Sequence, residues 1–542
     1  MRARLWLSVV MLLAGVGLAA AAGFAGPEPT KGGTLRISEP FDVGSLDPAL
    51  AYRTETFGVI EFATCAKLYS YPDKPAPQGA IVIPEVAKGF PKLSKDGKTQ
   101  TIELRPTYRF HTGRRITAAN FVAAFNRDAS PKLQSPATAY LHEIVGADAV
   151  IDGKARTIAG VRALSPYRLQ IRTNRPLGDL VSRLTMPFFC PIATTTPLQE
   201  IDDPLGSGPY YVAARIPDRQ IVLKRNRFYH GRRPAKVDQV VWTIGAGPEA
   251  CRLAVEQNET DYCVILPATA YKQIANRYGI NRKGGRFFFH PALETDYFAF
   301  NHDRPAFKGP GQIPLKQAIN WAIDRRAIAA AAGFLAGTRT DQILPPAMGR
   351  NASIYPLGGV TQARLAKARA LLAKAKFKPE KLVLYTSNGP FYVSAAQILQ
   401  FNLKRLGIDV EVQYFSTRAV LAKAGTRGEP FDVVLVRFAA DYADPITFLA
   451  TLDGRGIKKT GNTNFAYFDR PKYNREIERI DRLSGEARRR AWAALDAEMM
   501  RDDPPWAPFT NSANLEFVSK SFGCYVFQPV MGAVDIAAAC NT

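Results

Sequence analysis

Two aspartates, Asp441 and Asp444, follow a strongly hydrophobic stretch and could bind a cationic ligand. The stretch 433–438 is rich in the β-branched and aromatic residues that are typical of a buried strand. Asp444 and Pro445 together favour a helix start, since Asp caps free N–H groups and Pro is tolerated at the first helical position. Asp441 has no comparable structural explanation, so we predict that it contacts a ligand.

The elements before this stretch predict where Asp441 lies. Strands are predicted over 382–386 and 408–415, with a helix over about 393–406 between them and a shorter helix over 417–425. This alternation predicts a right-handed parallel βαβαβ unit, in which ligands bind beyond the carboxyl ends of the strands. Asp441 follows the third strand and is therefore placed to meet a ligand. The alternative is that it only hydrogen-bonds the backbone of its own turn, as Asp residues often do.

Length and charge limit the other possibilities. A chain of 542 residues is too long for one core, so two or more domains are expected. The net charge of +23 would permit nucleic acid, an anionic membrane or an acidic ligand as a partner. The basic residues are scattered, however, and their densest group, Arg488-Arg489-Arg490, is predicted to be a solvated helix face. No nucleic-acid-binding motif is present, so we expect no nucleic-acid partner.

The N-terminus has the pattern of a secretory signal peptide over residues 1–25. Arg2 and Arg4 precede an apolar run, and small residues follow, with cleavage predicted after Ala22 or Ala25. An uncleaved anchor is the alternative if the alanines extend the apolar run to spanning length. No Cys follows the run, so a lipoprotein is not expected. No later stretch is long enough to span a membrane, so we predict a soluble exported protein.

Disulfides are expected in an exported chain with several cysteines. The six are Cys65, Cys190, Cys251, Cys263, Cys524 and Cys540. Cys251 lies in a predicted helix and Cys263 in the next strand, while Cys524 and Cys540 bracket the C-terminal segment, which leaves Cys65 with Cys190. The alternative is that one or two pairs are buried free thiols. The chain has no CxxC motif, so we expect no zinc site and no cofactor.

Seven motifs, in order along the chain, resemble those of the periplasmic solute-binding proteins of peptide and nickel ABC importers. They are Lys31–Tyr52, Leu104–Arg127, Gly206–Tyr210 with Ile221–Gly231, Leu315–Arg325, Ile343–Gly349, Lys367–Phe377 and the stretch around Asp441. Each motif is degenerate alone, but their common order is specific. The resemblance implies an α/β fold of two lobes, of the type II, cluster C-like kind, with an extra domain inserted in the first lobe.

The resemblance also implies domain boundaries. Lobe I would comprise 26–71, 187–292 and 506–542, the extra domain 72–186, and lobe II 293–505. The chain would then cross between the lobes twice, near Ala292 and near Trp506. Such lobes close on a ligand like a hinged clam.

In peptide-binding members of the family, an Asp in the motif that matches 438–442 pairs with the α-ammonium of the peptide, which maps to Asp441. The resemblance and the strand pattern together predict further ligand contacts at Phe438, Tyr442, Arg437, Asn388, Tyr392 and Tyr52. Arg437-Phe438 replaces a common Gly-Trp, and because strand side chains alternate, only one of the two is expected to face the ligand. The loop 387–392 lacks an Arg that some dipeptide binders carry, which weakens the prediction of a dipeptide ligand.

The predicted function is the periplasmic substrate-binding component of an ABC importer. It would act as a monomer, capture an oligopeptide or amino-acid-derived solute, and deliver it to permease subunits in the inner membrane. A metal-chelate or haem binder on the same fold is the alternative. An enzyme is not favoured, because GxSxG, HExxH, SxxK and GxxxxGK motifs are absent and the five histidines are widely spaced.

Overall fold

The computed structural model describes residues 32–53, 55–349, 353–483 and 485–542. The predicted signal peptide, residues 1–25, lies outside these ranges. Of the helices within them, none combines the length and hydrophobicity that a membrane-spanning segment requires. The described chain forms three sheets of four or more strands and three two-stranded pairs.

The first sheet has five strands. They lie in the order Tyr262–Cys263, Thr34–Glu39, Gln239–Ile244, Gln220–Arg225 and Tyr210–Ile216. Thr34–Glu39 pairs in parallel with both of its neighbours. Alternate side chains of these strands, including Leu35, Ile37 and Trp242, are buried in one core, as expected for a period-2 strand pattern.

The second sheet has four antiparallel strands. They lie in the order Lys92–Leu93, Thr99–Glu103, Arg168–Arg172 and Val161–Ser165. The helix Ala118–Asp128 buries Phe121 and Phe125 on one face, as is typical of an amphipathic helix. All four strands lie within 72–186, and the extent of this region as a separate domain stays a prediction.

The third sheet has seven strands. Six lie in the order Phe287–Pro291, Trp506–Phe517, Glu294–Phe300, Val433–Ala439, Lys381–Ser387 and Asp409–Phe415, and Gly337–Arg339 pairs with Trp506–Phe517. The remaining two-stranded pairs are Tyr69–Ser70 with Ile83–Pro84, Phe522–Gly523 with Cys540–Asn541, and Phe527–Gln528 with Ala533–Val534.

The predicted parallel βαβαβ unit is confirmed in the third sheet. Lys381–Ser387 pairs in parallel with Asp409–Phe415 and with Val433–Ala439. The helices Pro390–Lys404 and Thr417–Ala424 connect these strands. The first four residues of Val433–Ala439 are buried, because this strand lies in the interior of the sheet.

The other helices connect the sheets and cover their faces. Those of four or more residues in α-helical conformation are Glu61–Thr64, Ala147–Ile151, Leu180–Arg183, Pro248–Glu256, Tyr271–Tyr278, Ile313–Ala322, Arg325–Ala331, Gln362–Leu372, Ile446–Leu449, Pro471–Asp481 and Gly485–Asp502. Glu61–Thr64 continues a short π-helix over Glu55–Ile60.

The strand Trp506–Phe517, here called the crossing strand, spans two regions that the domain prediction separates. Its first half pairs with Glu294–Phe300 and its last half with Phe287–Pro291. Between these two ladders, the N–H of Ala292 donates to the carbonyl of Ser512. The pairing therefore continues past Trp506, with one register shift between Asp296 and Tyr297. The domain boundaries stay a prediction, and this pairing favours a second crossing near Ser512 rather than near Trp506.

All six cysteines are paired, in the arrangement that their spacing favours. The disulfides join Cys251 to Cys263, Cys524 to Cys540, and Cys65 to Cys190. The first ties the helix Pro248–Glu256 to the neighbouring strand, as predicted. The alternative of buried free thiols is therefore wrong for this structure.

The basic run at 488–490 is not a uniform solvated face, so that prediction is wrong for Arg488. Arg488 is buried, and its guanidinium pairs with Asp444 and Asp481 at 3.1 Å each. Arg489 and Arg490 point to solvent, as predicted. The difference arises because successive helical residues lie about 100° apart, so one of three neighbours faces the core.

Candidate ligand-binding site

A cavity of about 550 Å³ lies between the first and third sheets. One wall is formed by residues 52, 53, 55, 57–59, 262 and 264–266, and the other by 292–294, 438–441 and 513–516. Residues 529–533 also line the cavity. The volume is in the range of small-molecule sites. The carboxyl end of Val433–Ala439 opens into this cavity, as the topology of the parallel unit predicts.

Asp441 lies in the turn that follows Val433–Ala439 and lines the cavity. The hydroxyl of Tyr52 donates to Asp441 Oδ1 at 2.5 Å. The hydroxyl of Tyr140 lies 3.3 Å from that of Tyr52. It also hydrogen-bonds the Asp441 carboxylate, which lowers the pKa of Asp441. Tyrosine hydroxyls from distant parts of the chain are thus the hydrogen-bonding groups around Asp441 in the described residues. The alternative, that Asp441 caps its own turn, finds no support in these contacts.

Asp441 has no cationic side chain beside it in the part of the chain that the structure describes. Removal from water raises its pKa, and the hydroxyls of Tyr52 and Tyr140 lower it in part. No ion pair of the described residues includes Asp441, and no cationic side chain contributes to the shift. A carboxylate withdrawn from water without a counter-ion is costly to ionise. Asp441 is therefore suited to accept a cation from outside the protein.

The turn after Val433–Ala439 is fixed by contacts from elsewhere in the chain. The Tyr442 hydroxyl donates to Asp179 Oδ2 at 2.7 Å, and the N–H of Ala443 donates to the Tyr71 hydroxyl at 3.0 Å. Asp444 accepts from the N–H of Ile446 at 3.0 Å, as expected for a helix start. These bonds hold the backbone on both sides of Asp441, so its carboxylate is presented in a defined position.

The structure brings three of the predicted contact residues into the cavity: Asp441, Phe438 and Tyr52. Phe438 packs edge-to-face on Phe448, with ring centroids 5.0 Å apart, so its ring is a fixed wall. Arg437 projects from the opposite face of the strand, as side-chain alternation requires, and pairs with Asp296 at 2.9 Å. A direct ligand contact for the three residues in the cavity remains a prediction.

The other predicted residues lie outside the cavity wall. Tyr442 is buried against Asp179, so it supports the turn instead of facing the ligand. Asn388 is exposed, and its N–H donates to the carbonyl of Phe415. Tyr392 packs on Phe391 in the first turn of a helix. No residue of the loop 387–392 lines the cavity, although the charge of the cavity residue Glu294 acts on the Tyr392 hydroxyl and contributes to raising its pKa. A ligand contact for Asn388 and Tyr392 stays a prediction.

Two acids of the cavity wall are paired with arginines. Glu55 pairs with Arg53 at 3.4 Å, and Glu294 pairs with Arg437 at 3.3 Å. Burial raises the pKa of Glu294, and the charge of Arg437 lowers it in part. Arg437 does not line the cavity itself, and it acts on the cavity through its ion pair with Glu294. These two carboxylates are neutralised within the protein.

Glu516 is a cavity residue that the sequence prediction missed. It lies near the end of the crossing strand, between Leu515 and Phe517, and its side chain is 5% exposed. Burial raises the pKa of Glu516 to about 7, and a hydrogen bond with Tyr262 opposes the shift. The sequence did contain a signal for Glu516, because it is an acid between the hydrophobic residues Leu515 and Phe517. Burying an acid is unfavourable unless the acid has a partner or a function.

The comparisons with known proteins identify the family. A family model of the bacterial extracellular solute-binding proteins, family 5, matches residues 82–460, which is well over half of the chain. The chain belongs to this family. The resemblance predicted from the motifs is therefore confirmed.

Curated relatives extend the similarity over nearly the whole chain. The periplasmic murein peptide-binding protein MppA of Escherichia coli (strain K12) is 25% identical over 508 residues, which cover 91% of this chain and 90% of that protein. The periplasmic oligopeptide-binding protein OppA of the same organism is 22% identical over 455 residues, with 80% of each chain covered. Both relatives are binding proteins of the periplasm, and the family is one of solute-binding proteins rather than enzymes.

Solved structures confirm the fold. The clavulanic acid biosynthesis oligopeptide binding protein 2 superposes with a TM-score of 0.85 at 25% identity, covering 95% of this chain and 97% of that one. The unliganded open form of the murein tripeptide-binding protein MppA gives a TM-score of 0.76 at 23% identity, covering 95% and 99%. The predicted two-lobed α/β architecture is thus confirmed, and the chain is a solute-binding protein.

Proposed function

We propose that this protein captures a peptide or another amino-acid-derived solute by pairing its ammonium group with Asp441. It then delivers the solute to the permease subunits of an ABC importer. The observation that carries the proposal is the carboxylate of Asp441, withdrawn from water in a cavity and paired with no cation of the described chain. An ammonium group supplied by the ligand would give a charge-assisted contact that the protein alone lacks.

The curated and structural relatives support a peptide-like ligand, since their names describe murein peptide, oligopeptide and dipeptide binding. They do not favour the alternative of a metal chelate or haem. The cavity wall contains no His or Cys among the described residues, and no described group of three or more His, Cys, Asp or Glu is placed to hold a metal ion.

The proposed location is the periplasm, reached by a cleaved signal peptide and without a lipid anchor. The basic N-terminus, the apolar run and the small residues that end at Ala25 support this proposal. N-terminal sequencing of the exported protein distinguishes cleavage after Ala22 from cleavage after Ala25. We further propose that the protein acts as a monomer.

The ammonium test uses a matched pair of ligands. Trialanine presents a free α-ammonium, whereas N-acetyl-trialanine has the same backbone and no positive charge at that end. We expect titration calorimetry to give at least a hundredfold weaker binding for the acetylated peptide, because about 3 kcal/mol is a moderate value for one desolvated charge pair. Equal affinities, or binding of neither peptide, would contradict the proposed function. Mass spectrometry of solutes that copurify with the protein identifies the natural ligand.

Binding should also close the cavity. The two sheets that face it are joined by the ladder of the crossing strand, and the hydrogen bond of Tyr52 with Asp441 joins its two walls. A ligand that contacts both walls favours the closed arrangement. We expect small-angle scattering to show a smaller radius of gyration at saturating ligand. An unchanged radius at full occupancy would rule out hinge closure.

A further inference from the structure

A second carboxylate of the cavity, Glu516, lacks a counter-ion. Its side chain is 5% exposed, and its Oε2 accepts no hydrogen bond from the described part of the chain. None of the ion pairs among the described residues includes it, and the hydroxyl of Tyr262 is the hydrogen-bonding group beside it. Glu516 lines the same cavity as Asp441. The wall thus offers two acids without a cation, the half-buried Asp441 and the buried Glu516, while its other two acids are paired internally.

The groups that face Glu516 are aromatic and uncharged at neutral pH. They are Tyr262, Tyr271 and Tyr525, and burial together with the nearby carboxylate raises the pKa of each hydroxyl. Tyr525 stacks on Phe288, the residue that pairs with Glu516 in the sheet. Aromatic rings around a carboxylate bind an ammonium or guanidinium group well, because the ring faces carry partial negative charge. Because Glu516 lines a cavity, a ligand cation can reach its carboxylate, which would not be possible in a closed core.

We propose that Glu516 binds a second cationic group of the ligand, so that the preferred solute is a peptide with a lysine or arginine side chain besides its free N-terminal ammonium. This inference rests on the proposed function, in which Asp441 binds that ammonium. It adds a preference for basic side chains, which the pairing at Asp441 does not require.

The separation of the two acids fits such a ligand. The N–H of Ala440, the residue before Asp441, donates to the carbonyl of Leu293, whereas Glu516 pairs with Phe288. The five residue steps from Phe288 to Leu293 correspond to about 16 Å of extended strand. A tripeptide advances about 3.3–3.6 Å per residue, and a lysine side chain adds several ångströms. The 16 Å separates backbone positions, and the side chains of Asp441 and Glu516 both line the cavity between them. A tripeptide with a basic residue at its third position matches this separation best, and one with a basic residue at its second position makes the shorter span.

The overall charge of +23 does not conflict with a cationic ligand. Surface charges are screened over about 8 Å at physiological salt, whereas a carboxylate inside a cavity acts on the bound ligand at contact distance. The net charge affects the rate of encounter, and the local acids determine which ligand is retained.

The test compares lysine with norleucine, which has the same carbon chain length without the ammonium. Titration calorimetry at pH 8 would measure Ala-Lys-Ala against Ala-Nle-Ala, and Ala-Ala-Lys against Ala-Ala-Nle. We expect the lysine peptide to bind at least tenfold more tightly in one of the two pairs. Glu516→Gln should abolish this preference while the norleucine peptides still bind. Glu249→Gln, which removes an exposed acid outside the cavity, should keep the preference.

The pH dependence gives an independent readout. Since burial raises the pKa of Glu516 to about 7, a proton competes with the ligand cation as the pH falls. Lowering the pH from 8 to 6 should reduce the lysine-to-norleucine affinity ratio about tenfold in the unmodified protein and leave it unchanged in Glu516→Gln. Protonation of Asp441 weakens the binding of the lysine and norleucine peptides equally, so it does not change the ratio of their affinities.

The outcomes separate this inference from the proposed function. Equal binding of lysine and norleucine peptides by the unmodified protein would overturn the role of Glu516 and leave peptide binding intact. A lysine preference that survives in Glu516→Gln would also overturn it, because another group would then supply the charge. Failure of all four peptides to bind would overturn both proposals.

Discussion

Asp441→Asn is expected to weaken trialanine binding by about 2–5 kcal/mol, which corresponds to roughly 30-fold to several thousandfold in affinity. The substitution keeps the shape of the side chain and its acceptor for the Tyr52 hydroxyl, but it removes the negative charge. The bound ammonium would then be withdrawn from water without a counter-ion. Titration calorimetry of the two proteins, at a pH where the carboxylate is ionised, measures the difference.

The matched control is Asp444→Asn, three residues along the same turn. Asp444 lies outside the cavity wall, and its carboxylate accepts from the N–H of Ile446 and pairs with Arg488. We expect Asp444→Asn to lower the thermal unfolding temperature and to leave trialanine affinity nearly unchanged. If Asp441→Asn instead lost stability while binding like the unmodified protein, Asp441 would be a structural residue and the charge-pairing proposal would be wrong.

Arg488→Met is expected to lower the free energy of unfolding by about 3–5 kcal/mol, because it leaves a buried carboxylate without its cation. The guanidinium of Arg488 contacts both oxygens of Asp444 at 3.1 Å and also pairs with Asp481. Met has a similar length and no charge, so the variant tests the ion pairs more than the packing. Chemical denaturation followed by circular dichroism measures the loss.

Arg489→Met is the control for this variant. Arg489 is adjacent in the helix but exposed, with its guanidinium paired to Glu486 at the surface. Exposed pairs contribute about 0–1 kcal/mol, so the unfolding free energy should hardly change. Similar losses in both variants would show that the helix Gly485–Asp502 tolerates no hydrophobic replacement, and the buried network would then not be the cause.

Local sequence was sufficient for the part of the site that lies on one strand. The run of β-branched residues before Ala439 could form only a buried strand, and the strand–helix alternation before it required a parallel arrangement. The position of Asp441 beyond the strand then followed from the geometry of parallel sheets. Phe438 and Arg437 had to face opposite sides for the same local reason, although the sequence alone did not say which side was the cavity.

The spacing of the cysteines also carried enough information. Cys251 and Cys263 belong to a helix and a neighbouring strand, and Cys524 and Cys540 close a short segment, so each pair lies close in space in any compact arrangement. The pairing of Cys65 with Cys190 could be reached only by elimination. A separation of 125 residues gives no local reason for contact, and the folded chain alone brings these two together.

By itself, the sequence determined the family, through the order of seven motifs along the chain. It also determined the α/β architecture, the parallel unit and the position of Asp441, because these depend on patterns within a few tens of residues. Tertiary structure decided the rest of the site. Glu516 lies 75 residues after Asp441 along the chain, and only the pairing of the crossing strand carries it to the cavity wall. Likewise, only the folded structure shows that Arg488 forms a buried ion pair whereas its neighbour Arg489 forms an exposed one. Whether a charge is neutralised depends on groups brought together by folding, and no local pattern records those contacts.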